Sequence, residues 1–386
     1  MPPRRTRRAA QAIDSEQVQP IANASLSVAN DHVQLPGLTS DVVQRPPLAL
    51  IPPELFDEIV AYWPTLPLRY YSDTYGVAIA PHIEHATRTV TLRALSQTCR
   101  ALRAVCLPRL WSRLETCWVP WSDKGDYPKS GKWYTYVMLE MQRKANGLLA
   151  SEEILRSYVR TFCFMTSKSK PQVAMPALAS ILPALPNLHT IQVLHCNNAG
   201  DVAAAVGGLQ LPSVRVAVIP SECNSILKAC PNVTHVRCAG GNGAAIVTAL
   251  KYTKVEVLDG MIDWGSKNIM DRLVKNAPNL HTLEIRRPVS GGLGIASQNT
   301  APAVWAEVIP KLAALLKLRV LQLSFPDTQE SPSDLVSIAA ARKVMKESSL
   351  KKERKLVVRR VLAPHYTRSE MGREDVVDSS VEEIFE

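Results

Sequence analysis

Cys238-Ala-Gly-Gly-Asn-Gly-Ala-Ala-Ile-Val247 is the stretch of this chain whose residue types come nearest to cofactor chemistry. An apolar strand, a glycine loop and a helix follow one another there, the order in which a nucleotide or methyl donor is held, because small residues let a phosphate approach the N–H groups at a helix start. Val255 to Gly260 ends Leu-Asp-Gly, so Asp259 could meet a ribose hydroxyl. The Gly-x-Gly-x-x-Gly fingerprint is not completed, however, and the strand ahead of the 238–246 glycine loop is one copy of a repeat; a repeat loop is the simpler reading. Other chemistry is thinner still. There is no Gly-x-Ser-x-Gly elbow, no Gly-Lys-Ser phosphate loop and no His-Glu-x-x-His helix. The 8 cysteines, from Cys99 to Cys238, include no Cys-x-x-Cys pair, and His82, Glu84 and His85 are the only clustered metal-ligand types. The expectation is reduced thiols, no metal, no cofactor and no catalysis.

The elements that would carry any site are plainer. Pro52 and Pro53 sit where a missing N–H costs nothing, and Glu54, Asp57 and Glu58 meet the positive end of a helix dipole, so a helix should begin near Pro52. Leu55, Ile59 and Tyr62 or Trp63 recur at helical spacing until Pro64 and Pro67 stop the run. A second helical stretch puts Leu92, Leu95, Cys99, Leu102 and Cys106 on one stripe, with Arg93, Gln97, Arg100 and Arg103 opposite. Such a stripe needs a partner; a hairpin inside an all-helical domain would be the bland account.

Ile51-Pro-Pro-Glu-Leu-Phe-Asp-Glu-Ile-Val, followed by Leu92 to Trp111, resembles an F-box. The resemblance implies docking onto a Skp-type adaptor and, through it, a cullin RING ubiquitin ligase. On the matching positions, Ile51, Pro52, Glu54, Leu55 and Ile59 correspond to the opening motif. Leu92, Leu95, Ser96, Cys99, Leu102, Leu110 and Trp111 correspond to the second half. The Tyr- and His-rich stretch between them is longer than a typical F-box connection, as in F-box proteins of filamentous fungi.

Further on, one phrase occurs in three versions: Leu185-Pro-Asn-Leu-His-Thr-Ile-Gln-Val193, Cys230-Pro-Asn-Val-Thr-His-Val-Arg-Cys238 and Ala277-Pro-Asn-Leu-His-Thr-Leu-Glu-Ile285. Weaker copies lie at 211–219, 253–258 and 316–323, and short helical stretches precede the strong ones. Pro-Asn ends a helix and launches a strand. The pattern resembles leucine-rich repeats, which build a strand and a helix per turn of a solenoid at steps of about 20 to 29 residues. Each strand would lend apolar side chains to a shared core, leaving Thr190, Gln192, His235, Arg237, Thr282, Glu284, Arg286 and Gln322 facing out to hold an unidentified protein target.

The expected fold is therefore α/β: a short N-terminal all-α bundle followed by an irregular repeat solenoid with a parallel sheet. The expected layout is a disordered leader at 1–47, an F-box at 48–115 with an insertion at 66–90, and an aromatic junction at 116–165 carrying Trp118, Trp121, Trp133, Tyr134 and Tyr136. A repeat region at 166–325 and a charged, helical or disordered tail at 326–386 complete it. The 386 residues, 46% hydrophobic and 21% charged, suit a globular protein with a substantial core. No apolar run approaches the roughly 18 residues a membrane span needs, and no secretory block opens the chain, so cytoplasm or nucleus is expected. Net charge is +10 and pI about 9.2, which raises nucleic acid as a rival partner. Much of the excess lies at Arg4 to Arg8 and between Arg342 and Arg360. The second cluster is followed by acidic Glu370 to Glu386, so the tail could as readily bind itself.

Overall fold

The computed structural model describes residues 51–66, 84–117, 131–241, 243–260, 267–286, 302–325, 331–347, 353–361 and 377–385. The expected leader and most of the expected insertion, with Trp118, Trp121 and His82, lie outside them.

The chain opens with α1 (Pro53–Ala61), α2 (Glu84–Ser96) and α3 (Arg100–Trp111). Pro52 takes the extended N-cap conformation, Pro53 the first helical position and Glu54 the first turn. The Cys99 side chain caps α3 by accepting the Leu102 N–H at 3.5 Å. Phe56, Val60, Leu92 and Cys106 form a small closed core, with Ile51, Trp63, Leu95, Val105 and Leu110 packed around it. Arg109 clamps α3 to α1: its guanidinium donates to both Asp57 oxygens at 2.5 and 2.9 Å and lies 5.1 Å from the Phe56 ring centroid.

Strands then alternate with helices: β1 (Arg113–Glu115), α4 (Gly131–Leu149), α5 (Glu153–Tyr158), β2 (Thr161–Thr166), α6 (Pro171–Ile181), β3 (Thr190–Cys196), α7 (Ala199–Val206) and β4 (Val216–Pro220). The series continues through α8 (Ile226–Ala229), β5 (His235–Gly240), α9 (Ala244–Ala249), β6 (Val257–Asp259), α10 (Lys267–Asn276) and β7 (Thr282–Arg286). It closes with α11 (Pro302–Val308), β8 (Val320–Phe325), α12 (Pro332–Glu347), β9 (Arg354–Val361) and β10 (Val377–Phe385). All ten strands form one sheet in chain order, parallel from β1 to β9, with β10 antiparallel to β9.

Each of the three Pro-Asn phrases delivers a strand (β3, β5, β7), and each weaker copy does too (β4, β6, β8). The phrase works by local hydrogen bonding. Asn187 Nδ2 reaches back to the Ser157 carbonyl at 2.8 Å, and Asn232 Nδ2 to the Pro212 carbonyl at 3.0 Å. Asn232 and Asn279 each accept from a lysine of the following unit, Lys254 at 2.9 Å and Lys317 at 2.6 Å. Alternate residues of the strands, among them Phe162, Phe164, Ile191, Val193, Val236, Leu283 and Leu323, enter one continuous core with Leu178, Ile246, Leu273 and Ile338 of the helices. On the opposite face of β2 and β3 a smaller core forms from Leu66, Cys117, Trp133, Val137, Cys163, Met165 and Leu194, with Tyr134 against it. The expected aromatic junction thus includes a packing element, and β2 within it already belongs to the sheet, as does β1 at the end of the segment before it.

The region expected as a charged tail belongs to the fold as well: α12, β9 and β10 carry the sheet past residue 325. Its charges hid a strand whose Leu356 and Val358 join the core, while acids from α12 and β10 answer the cations. Arg360 pairs with Asp334 at 2.6 Å, Arg342 with Glu383 at 2.5 Å, and Lys355 with Glu382. The Arg360 and Asp334 side chains are 9% and 1% exposed. Arg360→Met leaves a buried carboxylate without its guanidinium and is expected to cost about 3 kcal/mol in urea unfolding. Arg342→Met, at a pair largely open to water, should cost under about 1 kcal/mol.

Candidate functional site

Two surfaces were expected to bind partners, and the structure sorts their residues. On α1 and at its C-cap, Leu55, Ile59 and Tyr62 are 51%, 43% and 88% exposed, whereas Phe56 and Val60, one position on from the first two, turn inward. Pro52 and Glu54 are exposed beside them and Ile51 is half-buried. An apolar stripe at i, i+4 and i+7 therefore faces water. The expected second half behaves differently. Leu92 and Leu102 are 0% and 5% exposed, enclosed by the bundle's own core, and support the bundle instead of facing outward as expected. Leu95 packs on that core and Cys99 serves as the cap of α3. Leu110 and Trp111, both half-buried, line a cavity facing α4. Sequence reasoning missed Arg109, whose ion pair with the exposed Asp57 ties α3 to α1; a hydrogen bond from that guanidinium keeps the Asp57 carboxyl below its ordinary range.

The polar face of the sheet departs further from expectation. Gln192, Arg237, Glu284, Thr190 and Arg286 are buried rather than presented to solvent, and His235, Thr282 and Gln322 are half-buried. The cause is the register. Thr190, Val216, His235, Val257, Thr282 and Val320 lie in one row across the strands, and Gln192, Val218, Arg237 and Asp259 in the next. Neighbouring strands set such side chains about 4.8 Å apart, close enough to satisfy one another. Arg237 donates to Asp259 at 2.8 Å, and His235 Nε2 lies 3.4 Å from the same oxygen. Glu284 accepts from the Gly260 N–H at 3.1 Å, from Gln322 Nε2 at 2.9 Å and from Ser324 Oγ at 2.6 Å. These expected target contacts chiefly hold the sheet to itself. Ser324 went unnoticed in the sequence, although continuing the two-residue alternation past Gln322 reaches it.

The glycine loop has a packing reason. Gly241 and Gly243 adopt φ of +76° and +69°, and a Cβ on Gly241 would stand 2.8 Å from Ser221 Cβ and 3.0 Å from Glu222 Oε1. The turn after β4 packs directly against Gly241, and α9 is short. Asp259, the acid considered for a ribose, is engaged by Arg237. Asn242 is outside the described residues. Among those residues no three His, Cys, Asp or Glu side chains converge as a metal site, and no helix is long and apolar enough to cross a membrane.

All 8 cysteines are free, but they are not equivalent. Cys196 ends β3, half-buried, and its thiol is brought down to about 7 chiefly by a hydrogen bond from Cys223, helped against burial by Thr166 and the Asn198 N–H. Burial pushes Cys230 up to about 12. No family model matches this chain, and no curated protein matches it.

Because the folded Cys196 thiol ionises below its ordinary 9.0, the fold's preference for the thiolate is complete above that value and lost as pH falls through about 7. Native-state alkylation followed by peptide mass mapping is expected to give Cys196 a rate midpoint near pH 7, with Cys230 unmodified throughout.

Proposed function

We propose that this chain is a substrate-recognition adaptor of F-box type: the helical bundle docks a Skp-type subunit of a cullin RING ubiquitin ligase, and the strand-and-helix array, read as degenerate leucine-rich repeats, holds a protein target. The observation that carries the reading is the water-facing stripe of Leu55, Ile59 and Tyr62 on a helix whose other face is already satisfied. Exposed apolar side chains at helical spacing, backed by a closed core, are what helix-in-groove recognition requires. The consecutive parallel strands and the Pro-Asn phrases are in keeping with the repeat assignment. In this role the chain does no covalent chemistry; it raises the effective concentration of a target near a charged conjugating enzyme. A nucleotide- or methyl-donor-binding enzyme and a basic nucleic-acid binder are less well supported, since Gly241 is packed against the turn after β4 and Arg342, Lys355 and Arg360 meet acids of this chain.

Binding of the purified chain to a purified Skp-type adaptor tests the proposal. The Leu55→Asp, Ile59→Asp double variant is expected to lose at least about 100-fold in affinity. Its unfolding free energy should stay within about 1 kcal/mol of the parent, as both sites are exposed. Phe56→Ala, by contrast, should lose about 3 kcal/mol of stability. Absence of binding by the parent chain, or full binding by the double variant, overturns the assignment.

A further inference from the structure

Where the helical bundle meets the first long helix of the α/β array, the two do not close on each other. A cavity of about 390 Å³ remains between α2 and α3 on one side and β1 and α4 on the other. Its apolar wall comes from Leu66, Ala86, Leu110, Trp111 and Leu114. Gly147 of α4 also borders it, and a Cβ built there would meet nothing within 4 Å. The space is of the size that takes a small molecule rather than a peptide or a nucleic acid.

Its charged lining is out of balance. Arg93, Arg113, Arg143 and Lys144 border the cavity, with Glu115 the one acidic residue in its lining. Arg113 is answered by Glu115 at 2.9 Å, while Arg143 and Lys144 share the single carboxylate of Glu140 at 2.7 and 3.2 Å. Arg93, exposed on α2, has no ion-pair partner among the described residues. Four cations thus face two carboxylates. Lys144 and Arg113 are held inward, at 15% and 16% exposure, and Lys144 Nζ also donates to the Glu115 carbonyl at 2.6 Å. Arg88, half-buried on the same helix as Arg93, donates to the Arg109 carbonyl. Burial first, then the charge of Arg113, lowers its hold on its proton, against the opposing charges of Glu115 and Asp57.

We propose that this cavity is a binding site for a small organic anion: an apolar body seated against Leu110 and Trp111, with a carboxylate, sulfonate or phosphate group turned towards Arg93, Arg143 and Lys144. An anion there supplies the missing negative charge, and the guanidinium of Arg93 gives it a planar fork of donors. The site looks onto α4, not onto the exposed stripe of α1, so the inference stands independently of the adaptor reading.

Fluorescence titration of the full chain with 8-anilino-1-naphthalenesulfonate, an apolar body carrying one sulfonate, is the test. Its uncharged counterpart N-phenyl-1-naphthylamine is the control. Saturable one-to-one binding of the sulfonate is expected, with the neutral probe weaker by about tenfold or more. Arg93→Gln, at an exposed site, should weaken the sulfonate by roughly threefold to tenfold and leave the neutral probe unchanged. Gly147→Phe fills the cavity and should abolish binding of both probes without lowering the melting temperature. Equal affinity of the two probes overturns the anion assignment. So does unchanged sulfonate binding in Arg93→Gln, a variant that remains informative even if Gly147→Phe does not fold. Undiminished binding in a folded Gly147→Phe places the probe elsewhere and overturns the site.

Discussion

Each strand from β2 to β8 begins by donating two consecutive backbone N–H groups to a single carbonyl just ahead of the strand before it. Arg160 and Thr161 bond Ser112, His189 and Thr190 bond Arg160, Arg215 and Val216 bond His189, and the same step recurs through Arg215, Thr234, Glu256 and His281. Lys355 extends it to Arg319. This shared carbonyl fixes the register of every strand against its predecessor, and register decides which side chains enter the core. A slip of one residue would exchange Ile191, Leu283 and Leu321 for Gln192, Glu284 and Gln322. No unit can bury its apolar face without the next, so the array folds as a continuous body rather than as separable modules.

The same register explains the polar face. Once Glu284 lies between Gly260 and Ser324, its carboxylate has three donors at 2.6 to 3.1 Å and needs no solvent. Gly260 is part of the arrangement: it sits at φ +76°, and a Cβ there would come within 2.5 Å of the Cys238 carbonyl oxygen. The backbone approaches that closely only because the position carries no side chain. A network of this kind favours one strand pairing over others, since a shifted partner leaves a buried carboxylate unanswered.

How far the sequence was readable follows from the range of each interaction. The Pro-Asn phrases announce their strands because the bonds that set them, such as Asn232 to Pro212, involve adjacent units and recur. Helix α1 was legible from Pro53 and Glu54 for the same local reason. Arg109 and Asp57 are 52 residues apart, and nothing in their immediate neighbours marks them as a pair. Two-residue alternation told which side of the sheet Gln192 and Glu284 would take, but not that their neighbours would enclose them. Strand β9 was obscured because Arg354, Lys355, Arg359 and Arg360 flank Leu356 to Val358, and the acids that pair with Arg360 and Lys355 lie on elements before and after it. Likewise the α2 and α3 stripe was visible, but Leu92 and Leu102 face Phe56 and Val60, a partner supplied by the chain itself.

The connection between the exposed stripe of α1 and the sheet is short and stiff. Helix α3 ends at Trp111 and β1 begins at Arg113, leaving only Ser112 between them. Ser112 is fully used: its N–H bonds the Pro108 carbonyl, its hydroxyl bonds the Arg109 carbonyl, and its own carbonyl takes the Arg160 and Thr161 N–H groups. Arg109 in turn grips α1 through Asp57 and the Pro53 carbonyl. One run of contacts therefore leads from the α1 surface into the first step of the strand ladder, with no flexible linker along it. On the adaptor reading proposed above, this is the property that counts. Effective concentration depends on whether two sites can be engaged at a fixed separation, and a joint of one residue, bonded on every side, holds that separation where a longer linker would spread it.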